Sequence, residues 1–516
     1  MQAWVLNHSG GHPSLETAGI DIFLPHEWLQ TLHKNGYLDS FIGTAKDCRA
    51  FWDQVSPNDP KLHQNPMMKV KGWQDLFNPF VIHADKGPHT KQDSIHAISM
   101  YSLNAVELHA GIDFSTLLLC AIPNQCIATK SKCKDLGFTW KPEMEETLET
   151  IGVYLAWSFN ALFDGRAGTR DPAGNHYGKS GTIAGGARCI LWQAPADCEH
   201  LSIEYGLPNY NALKPCMRCG CDRDACPWDD WSDHAKFLQT AYQPSDLQKA
   251  PLTRHWLLTI KGTSHFIFSY DLMHCGDIGF GGRAIANCFY DFLYKDPEFA
   301  GTKSQKCQQI MARINKKYKD LGVDDCKIQK LLLQHFLPDK SAPHQHAPDL
   351  MHSAVKAKQT NRLVHVVASI VADLPRTTTY QKHRFHCMKS LSNLNSIISR
   401  NGMFLPRSEA DEFKQCSYRF LRHYDALSKL SLKLQEGVGA KQWHHTPKFH
   451  FLVHIAEDAY FLNPKAVWCY PGEHMVGNVT RLAQSCLAGT AAHKVPAALC
   501  KKYQIGKHLI IKATLG

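Results

Sequence analysis

The sequence predicts an α/β protein whose mixed sheet is interrupted by a large α-helical insertion. Three observations carry this reading. Short β-like runs bounded by Gly, Pro, Asn and Asp occupy residues 79–122. An amphipathic helical stretch follows over 143–163. Residues 279–441 then read as helical and basic, before a core-like segment returns at 442–516.

Composition sets the outer limits. With 516 residues, 44% hydrophobic and 20% charged, the chain has apolar material for two or three compact units, which excludes a disordered or fibrous protein. A formal charge of +10, from 57 Lys and Arg against 47 Asp and Glu, leans towards an anionic partner, nucleic acid ahead of membrane. The odd count of 19 Cys and an opening, MQAWVLNHSGGHPS, without basic start or apolar core point to reduced thiols in an intracellular compartment. No apolar run approaches the ~18 residues of a membrane span.

Taken in order, residues 1–78 read as helices and loops. Pro25 to Leu32 opens a helix with Pro and Glu27 in its first turn, a second follows over 45–55, and Pro57, Pro60 and Pro66 mark a linker. From 79 to 278 the first part of the core is expected. Pro79 to Ala84 leads into Asp85-Lys86-Gly87, and runs at 94–103 and 115–122 complete an antiparallel meander. The helix over 143–163 is acidic at its start, as the helix dipole prefers. The loop 164–186 then leads to Cys189 to Trp192 and to Asp197, which begins a short helix. Three strands, a helix, a strand and a helix form the order of a ribonuclease-H-like fold, in which Asp85 would face Asp197.

Beyond a Cys-x-x-Cys pair at Cys216 and Cys219, two apolar runs end in Asp271-Leu-Met-His274-Cys275. The region 279–441 carries Lys and Arg between apolar positions over 304–333 and 409–434. It reads equally as a helical domain with a solvated basic face or as a DNA-contacting one. In the segment 442–516, Lys448-Phe-His450-Phe-Leu-Val-His454 precedes a helix begun by Pro471-Gly472. Its stripe is Met475, Val479, Leu482 and Cys486, and Glu473 falls beside that stripe.

Carboxylates converging from separate elements suit Mg2+ or Mn2+, hard cations that keep water and phosphate oxygens in their shells. Singly, an Asp after a strand is most often a turn or cap residue. Cys216 and Cys219 have zinc-ligand spacing, with Cys221, Cys226, His274 and Cys275 as candidates to complete a tetrahedral zinc-knuckle-like site. His450 and His454 lie at helical i, i+4 spacing without the acid of an H-E-x-x-H motif, which favours packing near the active site over ligation.

APADCEHLSIEYGLPNYNALKPCMRC resembles the second-Asp block of eukaryotic cut-and-paste transposases of the CACTA and Kyakuja-Dileera-Zisupton type. Asp271 to His274 is similar to their Asp-x-x-His motif. Lys448 to His454 and Gly472-Glu473-His474 are similar to their closing elements, and Val81 to Gly87 to their first-Asp strand. The resemblance runs from Pro79 to the C-terminus in the family's order. It implies an acidic triad of Asp85, Asp197 and Glu473 holding Mg2+, and pairs the cysteine knuckle with His274. Lys86 departs from the usual Asp-Gly, leaving Asp93 and Asp113 as other acids for the first position, and Cys221 and Cys226 are additions to the family pattern. The reading is therefore a DDE-type DNA transposase, nuclear, homo-oligomeric and acting on double-stranded DNA, with no membrane partner. Its rivals are a non-catalytic descendant that binds DNA or protein, and a zinc hydrolase.

Overall fold

The computed structural model describes every residue except 9–11, 109–111, 246–253, 340–345, 435–441, 488–489 and 516. The boundary expected after residue 441 lies outside the described residues. The chain opens with a hairpin, β1 (Gln2–Asn7) and β2 (Ser14–Gly19), where helices and loops were expected. β2 is mostly solvent-facing and carries no apolar alternation for a sequence reading to catch.

The central sheet contains β3 (Phe77–Pro88), β4 (Ser94–Ser102), β5 (Leu117–Pro123), β8 (Arg188–Ala196) and β9 (Phe268–Tyr270); β6 (Arg166–Ala167) and β7 (Gly181–Thr182) form a separate two-residue ladder. Its order is β5-β4-β3-β8-β9. β3 runs antiparallel to β4 and β4 to β5, whereas β3–β8 and β8–β9 are parallel. The connection from β5 to β8 includes the helix Thr147–Asp164, which supplies a crossover of the kind that parallel pairing demands.

β3 is buried from Phe77 through Ala84 because both its faces are covered. Phe80, Ile82 and Ala84 share a core with Ile151, Leu155 and Phe159 of the crossover helix. On the opposite face, Ile95, Ala97, Leu118 and Ala121 pack under Met475, Val476, Val479 and Ala483 of the helix Tyr470–Gln484. That helix lies so close that a Cβ on Gly472 would sit 2.1 Å from the His83 ring, and one on Gly87 would sit 2.5 Å from Thr480 Oγ1. Alternation along the strand therefore sends His83, Asp85 and Gly87 to the Glu473 helix, and Ala84 and Lys86 to the other side.

The expected helical region contains Gly281–Tyr294, Lys303–Asp320, Ala357–Asp373, Thr379–Arg400 and Arg407–Leu434. The run expected over 304–333 ends early because Gly322 takes a left-handed φ of 62° and closes the helix. Buried Arg384 fastens two of these segments, donating to Asp291 at 3.2 Å and to Asp296 at 2.7 and 2.9 Å. Among the described residues, no helix is long and apolar enough to cross a membrane.

Candidate metal centre

Among the described residues, two separate groups of ligand-type side chains lie near the C-terminal ends of β3, β8 and β9. The first gathers around Glu473. Gly472 lets the helix start directly over His83, which sets Glu473 within hydrogen-bond reach of Asp85. Burial and then the neighbouring Asp85 charge push the Glu473 carboxyl up to about 8. Lys86 pairs with Glu204 on the other face and leaves Asp85 uncovered.

Asp197 follows β8 and is the N-cap of the helix Cys198–Ile203, one oxygen accepting from the His200 N–H at 2.6 Å. Capping occupies one carboxylate oxygen with a single donor, and the charge of Asp197 still acts on His274 and His83. The other acids lie elsewhere. Asp93 accepts from the Gln125 N–H at 3.0 Å, and Asp113 accepts from His474 Nε2 at 3.0 Å and from Asn478.

Asp271 is 1% exposed and fully engaged. One oxygen accepts from the N–H groups of Met273 (3.1 Å) and Cys469 (2.8 Å). The other accepts from the His274 N–H (2.8 Å) and ring Nδ1 (2.7 Å). With both oxygens taken, Asp271 orients His274, whose Nε2 faces Glu473 Oε1 at 3.6 Å. Burial opposes a charge on His274, but the Asp271 hydrogen bond and charge, helped by Glu473 and Asp197, raise it to about 9. His274 is thus a cation set against the acidic group. The ligand atoms of Asp271, His274 and Cys469 also lie within 4.8 Å of one another.

The second group is Cys216, Cys219, Cys221 and His450, all buried, with ligand atoms within 4.8 Å of one another. Cys219 Sγ lies 3.3 Å from His450 Nε2. His450 Nδ1 is 3.0 Å from the Trp228 carbonyl, a contact in which the ring must donate, so the lone pair falls on the Nε2 that faces the sulfurs. Three thiols and one imidazole, tautomerically fixed and shielded from solvent, can hold a metal ion. Cys216 and Cys219 of the expected set lie in this cluster, whereas the expected His274 and Cys275 fall outside it. His274 belongs to the Asp271 pair, and Cys275 hydrogen-bonds Cys198. The signal for Cys221 was its place two residues after Cys219. The signal for His450 was its motif, but its partner thiol lies 231 residues away in sequence, beyond the reach of local spacing.

Comparison with protein-family models and with curated proteins finds no match for this chain.

Proposed function

We propose that this chain is a DNA transposase with a ribonuclease-H-like core, cutting and rejoining phosphodiester bonds with Asp85, Asp197 and Glu473 as its metal-holding acids. The observation that carries the reading is the meeting of Asp85 with Glu473, two acids 388 positions apart, on the central strand of a sheet ordered β5-β4-β3-β8-β9. Asp197 follows β8, the strand that runs parallel beside β3.

The donor set suits Mg2+ or Mn2+. Burial and the Asp85 charge raise the titration of Glu473, and a hard cation between the two carboxylates would relieve it. When bound, such ions supply activation of the attacking oxygen and stabilisation of the leaving one. Asp271 keeps His274 charged and aimed at the same place, where it offers a donor to a phosphate oxygen. For the second group, three thiolates and an imidazole favour zinc over harder ions, and zinc there would tie the loop 216–221 to the helix Pro447–Asp458. Double-stranded DNA, a nuclear location and a homo-oligomer complete the proposal, with the Lys- and Arg-bearing helices as phosphate contacts.

The test is Mg2+- or Mn2+-dependent nicking of labelled DNA bearing candidate element ends, with Asp197→Ala and Glu473→Ala beside the parent. Cleavage lost in both variants supports the proposal. Equal cleavage by all three sinks the acid assignment, and DNA binding without cleavage by the parent favours a non-catalytic descendant.

A further inference from the structure

A cleft of about 810 Å3 opens on the face of the sheet opposite Glu473. Its floor is apolar, made by Ile82 and Ala84 of β3 and Ile98 of β4. Buried into it are His96, 2% exposed, and His200, 6% exposed, their rings 5.8 Å apart. His96 Nδ1 is buried and has no hydrogen-bond partner among the described residues. A buried ring nitrogen left unpaired costs stability, and one that lines a cleft is a place where a ligand can supply the partner. Lys86, paired with Glu204, and Lys132, whose Nζ donates to the Asn124 carbonyl at 2.9 Å, stand at one rim, and Glu145, Glu146 and Glu149 stand at another wall.

We propose that this cleft receives a nucleobase, its exocyclic amine directed to the Glu149 wall and its attached phosphate to the Lys86 and Lys132 rim. The chemistry fits each part. A base is flat and apolar on its faces, so it covers the Ile82, Ala84 and Ile98 floor. Its edge carries donors and acceptors, which a neutral imidazole meets with one of each. Carboxylates accept from exocyclic amines, and lysines take phosphate charge. Burial holds the His96 imidazole down to about 4, hence neutral at physiological pH. The cleft adjoins the acid group through a single residue step, since Ala84 and Lys86 flank Asp85 on the strand. This rests on the DNA reading for one of its two sources, an unpaired base of the strand being cut. The other source is a free nucleotide.

The probe is 2-aminopurine, whose fluorescence falls when it stacks. Full-length protein is titrated with a single-stranded oligonucleotide carrying it, and separately with its nucleoside triphosphate. His96→Leu removes the orphaned nitrogen, and Val153→Trp fills the cleft from an exposed position on the crossover helix. The expected result is quenching that weakens at least about fivefold in affinity in both variants, the lower end of what one base contact contributes. Quenching of the oligonucleotide assigns the DNA source, and quenching of the triphosphate alone assigns the free nucleotide. No quenching by the parent, or quenching in both variants with the parent's affinity, overturns the cleft. Metal-dependent nicking on the same preparations separates the two readings. Nicking without quenching removes the cleft only, whereas variant-sensitive quenching without nicking keeps the cleft and removes the transposase.

Discussion

Gly472→Ala tests how the Glu473 helix is seated. Gly472 lies in helical backbone, so alanine meets no conformational penalty there, and the whole effect comes from space. The added carbon would stand 2.1 Å from His83 Nδ1 where ordinary contact begins at 3.4 Å, so helix and ring must part by the difference, ~1.3 Å. His83 is 2% exposed on the central strand and has little room to retreat, so the helix start carries most of the movement. Glu473 is the next residue and shares that displacement. A misplacement of ~1 Å at a reacting site costs about 100-fold in rate, while overpacking costs ~1–3 kcal/mol of stability. The expected outcome is a nicking rate down about 100-fold and weaker Mn2+ binding by calorimetry, with a folded protein and a modest loss in Tm. His83→Ala in the same chain removes the obstructing ring and is expected to restore most of both. Parent-like nicking and Mn2+ affinity in Gly472→Ala, or no recovery in the double variant, would refute the argument.

Cys221→Ser and His450→Ala are each expected to lose one equivalent of bound zinc by elemental analysis and to lower Tm, whereas Cys275→Ser keeps the zinc. Retention of a full equivalent in both variants excludes the cluster as the site. Without divalent cation, the contribution of Glu473 and His274 to thermal stability is expected to fall as pH rises from about 5 to 9, read as the difference between the parent and Glu473→Gln. Glu473 is raised from 4.5 to about 8 and His274 from 6.5 to about 9, so these two groups hold more protons in the folded chain than in the unfolded one across that window, while buried histidines held low, His26, His96 and His255 among them, act in the opposite sense below about 6.5. Mg2+ replaces the Glu473 proton and should flatten the upper part of the profile, and Glu473→Gln should make the metal-free slope shallower; a slope unchanged in that variant refutes the titration. Arg384→Met leaves Asp291 and Asp296 buried without their shared cation, and a loss of ~3–5 kcal/mol in denaturant unfolding is expected. A change under 1 kcal/mol would mean that the two acids find other partners.

Local pattern made the sheet strands and the Glu473 helix legible. The apolar runs at β3, β5 and β8 are buried on both faces, and such runs announce themselves without any partner. The stripe Met475, Val479 and Cys486 lies on the sheet, which puts Glu473 at the border between packing and cleft. Chemistry fixed by a distant partner was not legible. Asp197 reads alike as cap and ligand because it follows a strand and starts a helix, and the structure gives it the cap while keeping its charge beside His274. His450 looked like a packing residue because no acid or thiol stands near it in sequence. Only folding brings it to Cys219.

The long helical excursion between the two halves of the site also has a physical logic. Closure entropy grows only logarithmically with loop length, about 0.6 kcal/mol per doubling, so a large insertion is tolerated if its ends are well fastened. Here both ends are held at the site itself. Lys448 Nζ donates to the His274 carbonyl at 2.9 Å, His450 meets the cysteines, and the Cys469 N–H donates to Asp271 at 2.8 Å. Tyr270 links these ties. Its hydroxyl contacts Cys216 Sγ at 3.6 Å, its ring stacks on Phe451 at 3.9 Å, and it directly precedes Asp271. Loosening the cysteine cluster therefore reaches Glu473 by two routes, through the helix Pro447–Asp458 and through Tyr270, Asp271 and His274. A metal placed there would act on the position of Glu473 without touching it.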